Sequence, residues 1–167
     1  MWPEQQHFSH SLSNMPKIVK LLLSIILCLG IGFGSSFFTI SSIQGWYSTI
    51  VKPGFLPPNW VFGPVWTILY ILMGVSLFLV WISKKSKKNY NYFFIQLGLN
   101  FFWSFIFFGL HLPLLAFIEI IFLWISILLT ILTFQKVSKS AAFLLYPYIL
   151  WVSFASILNI SVAILNP

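Results

Sequence analysis

Few side chains in this sequence could take part in acid-base or metal chemistry. Its 167 residues include 2 acids, 3 histidines and 1 cysteine. Glu119 lies inside an apolar run, where a carboxyl group is costly and by default marks a candidate functional site. Alternatively, it bonds Asn159, Asn100 or a backbone group and only fixes the register of its helix. His111 falls in a short loop, where it either ligates a metal or haem iron or is simply solvated.

Aromatic and amide side chains recur at helical spacing, which puts each set on one helix face. Stripes of this kind in a membrane helix are more often packing or an interfacial belt than a ligand site. Trp66, Trp103 and Trp151 lie too deep in their segments for a belt, which favours a pocket wall. The sets are Asn100, Trp103 and Phe107; Trp66, Tyr70 and Met73; and Tyr148, Ala155 and Asn159, with Trp151 turned partly aside.

The elements that position these residues are membrane helices. Hydrophobic residues make up 59% of the chain and charged residues 7%, and the mean hydropathy is +0.96. Charged residues normally account for about a quarter of a soluble domain, so the composition predicts an integral membrane protein. The net charge of +7 comes from lysines between the apolar segments, which indicates a membrane surface and no nucleic-acid partner.

Five segments reach the length of about 20 apolar residues that a span requires. We therefore predict an all-α integral membrane protein with a bundle of five transmembrane helices. Residues 1–16 are polar, and we expect either a disordered extension or an initiator at Met15. Gly30 and Gly34 allow close helix packing, either inside the bundle or at a dimer face. The predicted spans are 17–40, 61–83, 92–110, 114–134 and 141–165.

The lysines also predict the orientation. All of them except Lys52 fall at one side of the predicted bundle. By the positive-inside rule the N-terminus is then cytoplasmic, and the 41–60 loop, the His111 loop and the C-terminus face outward. The 41–60 loop contains three prolines among aromatic residues, and proline fixes φ, so it should be stiff. Helical rise places Trp66, Asn100 and Trp103, Glu119, and Asn159 in one layer beneath this loop.

Several ordered motifs resemble those of the TspO family, the translocator proteins once called peripheral benzodiazepine receptors. The resemblance extends over nearly everything after residue 17. It is specific, because each motif falls in the corresponding predicted helix. The motifs are Trp46-Tyr47, Lys52-Pro53-x-Phe55-x-Pro57-Pro58, Phe62-x-Pro64-Val65-Trp66-Thr67-x-Leu69-Tyr70-x-x-Met73-Gly74, Leu99-Asn100-x-x-Trp103-Ser104, Glu119, Pro147-Tyr148-x-x-Trp151 and Leu158-Asn159.

The resemblance implies a five-helix bundle, commonly a homodimer, that binds protoporphyrin IX or haem as a ligand and requires no cofactor. It places the protein in a cell membrane, for which we expect a bacterial one. Carried over by motif, Trp66 and Trp151 are pocket tryptophans. Cholesterol binding is not expected, since no basic residue follows span five. The predicted ligand-binding residues are Tyr47, Lys52, Trp66, Asn100, Trp103, Phe107, Glu119, Tyr148 and Trp151.

Two functions remain open at this point. The first is a tetrapyrrole sensor, carrier or regulator with its pocket beneath the 41–60 loop. The second is an enzyme that degrades protoporphyrin IX with light and oxygen, for which Trp66 and Trp151 would be the catalytic residues. Lys52 is the one cation on the loop side and could pair with a propionate, although a plain surface lysine is an equally good interpretation. A flat apolar macrocycle fits indole faces at stacking distance.

Overall fold

The computed structural model describes residues 15–85 and 88–167, and within them the chain is helical with no strand. In this part of the chain, five helical segments are long and apolar enough to cross a membrane, which confirms the all-α, five-span prediction. The predicted extension up to residue 14, and Lys87 of the basic cluster, lie outside the described residues. The helices are α1 (Lys17–Ile43), α2 (Trp46–Thr49), α3 (Asn59–Ile82), α4 (Asn91–Ser104), α5 (Pro113–Gln135), α6 (Lys139–Phe143) and α7 (Tyr146–Leu165).

The bounds of the spans agree with the predicted ones to within three residues. Helix α1 continues to Ile43, and α2 adds one helical turn within the predicted loop. Helix α3 begins at Asn59, two residues before the predicted start, and contains Pro64. Pro64 is the sixth residue of this helix and has no N–H, so α3 lacks one backbone hydrogen bond in its second turn. Helices α6 and α7 together form the fifth span.

A π-helical turn, Phe105–Gly109, continues α4 and was not predicted. In it the Leu110 amide donates to the Phe105 carbonyl over 2.9 Å, five residues back. A π turn inserts an extra residue into the helix and rotates the residues after it, and such turns are frequent at functional sites. Here the turn leaves Phe107 buried at the interior of the bundle.

The bundle is tightest at the end where the described lysines of α1, the α3–α4 connection and α6 meet, which we call the lysine side. Helix α1 packs on α3 there, and a Cβ added to Gly74 would lie 2.6 Å from the Ile25 Cα. The Ser76 hydroxyl donates to the Ala141 carbonyl over 2.7 Å. Cys28 is fully buried, as expected of a small core residue.

The glycines that bring helices together are not the pair that the sequence suggested. A Cβ on Gly32 would overlap the Tyr70 ring, and Gly74 meets Ile25. Of the predicted pair, Gly34 lies against the Phe101 ring, but Gly30 has no neighbour within 4 Å. The prediction that this pair packs inside the bundle is therefore wrong for Gly30.

Candidate functional site

A cavity of about 640 Å³ lies in the other half of the bundle, beneath the segment 44–58 that joins α1 to α3. We call that segment the lid and this half the lid side. Pockets for small molecules usually measure roughly 300–1,000 Å³. The walls come from α1, α3, α4 with its π turn, and α7, while Tyr47 and Leu56 of the lid form the roof.

Six of the nine residues predicted to bind a ligand line this cavity, and three do not. Those outside the lining are Lys52, Glu119 and Tyr148. Helix α5, which carries Glu119, contributes nothing to the wall. The ligand-binding role of the nine stays a prediction. The six that line the cavity are Tyr47, Trp66, Asn100, Trp103, Phe107 and Trp151.

A buried hydrogen-bond network forms part of the cavity floor. The Tyr70 hydroxyl donates to Asn100 Oδ1, and Asn100 Nδ2 donates to the Tyr148 hydroxyl over 3.1 Å. Tyr148 is 1% exposed and lies behind the wall, so it supports Asn100 without facing the space. Because a buried amide without partners costs free energy, this network fixes the Asn100 side chain.

A second polar contact braces Trp103. Its indole Nε1 donates to Asn159 Oδ1 over 2.9 Å, and Asn159 Nδ2 donates to the Pro113 carbonyl over 2.7 Å. The Trp103 ring stacks on Phe107 with centroids 5.3 Å apart. Asn159 therefore links α4, α7 and the start of α5, and it holds one indole wall in place.

The indoles of Trp66 and Trp151 are held by ring contacts. Trp66 meets the Tyr148 ring edge-on, with centroids 6.2 Å apart. Trp151 meets Phe62 edge-on at 5.7 Å, and its buried indole nitrogen has no hydrogen-bond partner among the described residues. Edge-on aromatic pairs fix ring orientation as well as burying area. Together with Trp60 of α3, four indoles from α3, α4 and α7 therefore contribute to the walls of one space.

The roof is aromatic too. Tyr47 packs edge-on against Phe108 with centroids 5.4 Å apart and tilts over Phe107 at 6.3 Å. Burial raises the pKa of the Tyr47 phenol, which keeps it neutral and able to donate a hydrogen bond. Phe107 and Phe108 both belong to the π turn, which therefore contacts the lid directly.

Lys52 does not reach the cavity. Its ammonium lies 4.9 Å from the centre of the Tyr47 ring and 3.4 Å from the Ile50 carbonyl. It therefore sits behind the roof, in a cation–π contact that supports Tyr47.

Glu119 is also placed differently from its prediction. Both carboxylate oxygens are buried and have no hydrogen-bond partner among the described residues. Asn100 and Asn159, the partners that the sequence suggested, bond Tyr70, Tyr148, Trp103 and Pro113 instead. The predicted register bond is therefore wrong. The amides point toward the cavity layer, whereas α5 lies outside it.

Comparisons with known proteins identify the family. The sequence profile of the TspO/MBR family matches residues 24–165. The chain belongs to this family. It is similar to the "Tryptophan-rich protein TspO" of Archaeoglobus fulgidus, with 48% identity over 89% of this chain and 98% of that protein. It also resembles the human "Translocator protein", at 36% identity over 86% and 88%, and the "Tryptophan-rich sensory protein" of Cereibacter sphaeroides, at 31% over 72% and 77%.

One residue just beyond the segment matched to the TspO/MBR family fastens the lid. Asn166 Oδ1 accepts from the Val51 amide over 2.9 Å, and Asn166 Nδ2 donates to the Val51 carbonyl over 2.9 Å. This pair of bonds ties the end of α7 to the lid. Sequence reasoning missed it, because no local pattern pairs residues 115 positions apart.

His111 fastens the lid from another side. Its ring stacks on Trp46 with centroids 4.6 Å apart, and Nε2 lies 3.5 Å from the Ser42 hydroxyl. The φ angle of 59° at His111 lies in the left-handed region, which turns the chain between α4 and α5. Among the described residues no group of three His, Cys, Asp or Glu side chains could hold a metal ion. The contacts of His111 are structural in kind.

Proposed function

We propose that this member of the TspO/MBR family binds a tetrapyrrole such as protoporphyrin IX or haem, and acts as a sensor, carrier or regulator of tetrapyrrole levels. The observation that carries the proposal is the cavity of about 640 Å³ lined by Trp66, Trp103 and Trp151. A planar macrocycle offers two apolar faces, and indole faces are suitable partners for them.

The chemistry of the walls supports this class of ligand. Most of the lining is apolar, and the side-chain amides of Asn100 and Asn159, which also line the cavity, are already hydrogen-bonded within the protein. A ligand rich in carboxylates or hydroxyls would find few free partners there. A tetrapyrrole would place its macrocycle among the rings and its propionates at the rim, where the exposed Asn59 lines the cavity.

Relatives support the regulatory part of the proposal. One of them carries the name "Tryptophan-rich sensory protein". For sensing, a change of lid or helix position on binding must reach a partner, and the lid is tied directly to the end of α7 by Asn166. A ligand beneath Tyr47 would therefore contact the lid and, through Asn166, affect the end of α7.

A second candidate function is light-dependent degradation of protoporphyrin IX, with dioxygen as the oxidant. It is favoured by one observation: the ring of Trp151 lines the cavity, and its indole nitrogen, which is covered by protein, has no hydrogen-bond partner among the described residues. The face of this ring would lie against a bound macrocycle. In this case Trp66 and Trp151 would be the reacting side chains.

One experiment tests the first proposal and separates it from the second. Protoporphyrin IX is titrated into purified protein, in the dark and in light, with tryptophan fluorescence and porphyrin absorbance as readouts. The variants are Trp66→Phe and Trp151→Phe. The matched control is Trp124→Phe, because Trp124 is partly buried, bonds Ser153 over 2.8 Å and does not line the cavity.

If binding is the function, the dark affinity falls by roughly tenfold or less in the two cavity variants, because a phenyl ring still stacks. The control is unchanged. If degradation is the function, the loss of porphyrin absorbance in light stops in the cavity variants and continues in the control. Absence of saturable binding to the unmodified protein in the dark would overturn the proposal.

A further inference from the structure

The cavity is not closed on all sides. Three of its lining residues, Phe33 and Ile40 of α1 and Trp60 of α3, are 78%, 70% and 75% exposed. Both helices are membrane spans, so these side chains face the bilayer as well as the cavity. A wall residue that is mostly exposed marks a place where the cavity continues to the outside.

This opening exists because α1 and α3 separate toward the lid. On the lysine side they touch at the backbone, where Gly74 meets Ile25, and Gly32 then abuts the Tyr70 ring. Further along α3, Gly63 also lines the cavity, but a Cβ placed there would meet nothing within 4 Å. The two helices are in contact at one end and leave a gap at the other.

The edges of this gap are suited to lipid. The Ser36 hydroxyl donates to the Phe33 carbonyl over 2.7 Å, and the Thr67 hydroxyl donates to the Gly63 carbonyl over 2.9 Å. Both hydroxyls are thus satisfied within their own helices. A hydrocarbon environment tolerates polar groups only when they are satisfied internally. Lipid acyl chains can therefore contact the edges of the gap without leaving either hydroxyl unsatisfied.

The path through the lid, in contrast, is fastened. Asn166 holds Val51 by two hydrogen bonds, and His111 stacks on Trp46. A ligand that entered from water would have to break these contacts. A ligand already in the bilayer meets apolar side chains at the gap and two hydroxyls, of Ser36 and Thr67, that are bonded within their own helices.

We propose that the gap between α1 and α3 on the lid side is a lateral portal, through which a planar apolar ligand dissolved in the adjacent bilayer leaflet enters and leaves the cavity. This inference rests on the proposed function and adds the source of the ligand. The portal comprises Phe33, Ser36, Ile40, Trp60, Gly63 and Thr67.

The test modifies the folded protein, so that folding of a bulky variant is not at issue. Thr67→Cys is reconstituted in vesicles and then labelled with N-phenylmaleimide. The native Cys28 is fully buried and does not compete for the label. The matched control is labelled Leu150→Cys, since Leu150 is 69% exposed on α7 and does not line the cavity. Stopped-flow quenching of tryptophan fluorescence follows protoporphyrin IX binding and release.

A blocked route slows entry and exit together. The label at position 67 should lower both rate constants by about tenfold and leave their ratio, the Kd, nearly constant. The label at position 150 should change neither. A second arm joins Val51→Cys to Asn166→Cys with a bifunctional maleimide and holds the lid in place. Through a lateral portal, association should proceed at an unaltered rate in the linked protein.

Two results would overturn the portal while leaving the proposed function intact. One is equal association rates in labelled and unlabelled Thr67→Cys with normal dark affinity. The other is a rate that falls on linking the lid but not on labelling position 67, which identifies water and the lid as the route. A lack of saturable binding in the unmodified protein would instead overturn the proposed function, and the portal with it.

Discussion

The two halves of the bundle are built on different principles. On the lysine side, helices approach at small residues, with Gly74 against Ile25 and Ser76 bonded to Ala141. On the lid side, large rings from α3, α4 and α7 surround a space of about 640 Å³. Small residues allow helix backbones to approach closely, whereas large rings keep them apart.

The difference teaches how a membrane protein of this size keeps a cavity open. Rings that contact each other edge-on, such as Phe62 with Trp151, support one another without filling the centre. The buried amides of Asn100 and Asn159 also hold the walls in place, because they connect them by hydrogen bonds. The packed half supplies the stability that the open half gives up, since empty volume costs free energy.

The largest effect should come from Gly74→Leu. Its side chain would meet the Ile25 backbone, which cannot yield as a side chain can, so overpacking should cost about 3 kcal/mol or more. The matched substitution Gly63→Leu enters open space and should leave stability within about 1 kcal/mol. Thermal denaturation in detergent, followed by tryptophan fluorescence, measures both. Equal destabilisation by the two would refute the distinction between the halves.

Asn100→Leu tests the network beneath the cavity. It removes the partner of both Tyr70 and Tyr148 and should lower the free energy of unfolding by about 1–3 kcal/mol. Gln96→Leu is a suitable control, because Gln96 is buried one turn away and its Oε1 has no partner among the described residues. A loss in the control as large as that in Asn100→Leu would show that the network adds nothing specific.

Glu119→Leu should act in the opposite direction. The carboxyl group is buried without a partner among the described residues, so replacing it should raise the free energy of unfolding by about 1 kcal/mol. Glu119→Gln, which stays polar, should gain less. The thermal denaturation used for Gly74 applies here. Marked destabilisation by Leu would mean that Glu119 holds the bundle together after all.

Asn166→Ala should have the smallest effect. It removes both bonds between α7 and the lid, so the free energy of unfolding should fall by about 1 kcal/mol or less, measured by the same thermal denaturation. Because the ligand leaves through the portal, the dissociation rate of protoporphyrin IX should stay within about twofold of that of the unmodified protein. Asn91→Ala at the start of α4, far from the lid in the chain, serves as the control. A dissociation rate that rises severalfold in Asn166→Ala and not in the control would show that the lid limits release.

Much of the fold could be predicted from the sequence, since each span follows from the length and apolar content of its segment. The faces of α3 and α4 could also be predicted, because a 3.6-residue period places Trp66 with Tyr70 and Asn100 with Trp103. The π turn could not, because nothing in the residues 105–109 distinguishes it from an α-helical turn.

The position of a site residue could be predicted where helical spacing alone decides which residues share a face. It was not predictable where the outcome depends on how helices rotate against each other. Depth alone put Glu119 in the layer of the indoles, but α5 turns it away from the cavity. Lys52 was predicted to bind the ligand because of its charge, but its ammonium lies against the ring of Tyr47.

The most direct test of the central claim, that the open half holds the ligand, fills that half from its wall. Protoporphyrin IX is titrated in the dark into the unmodified protein and into Ala155→Phe, because Ala155 is buried and lines the cavity. Ile164→Phe, on the lipid-facing side of α7, is the control. We predict one saturable site whose affinity falls by tenfold or more in Ala155→Phe, about 1.4 kcal/mol, and is unchanged in the control. Equal binding by all three proteins would contradict the account.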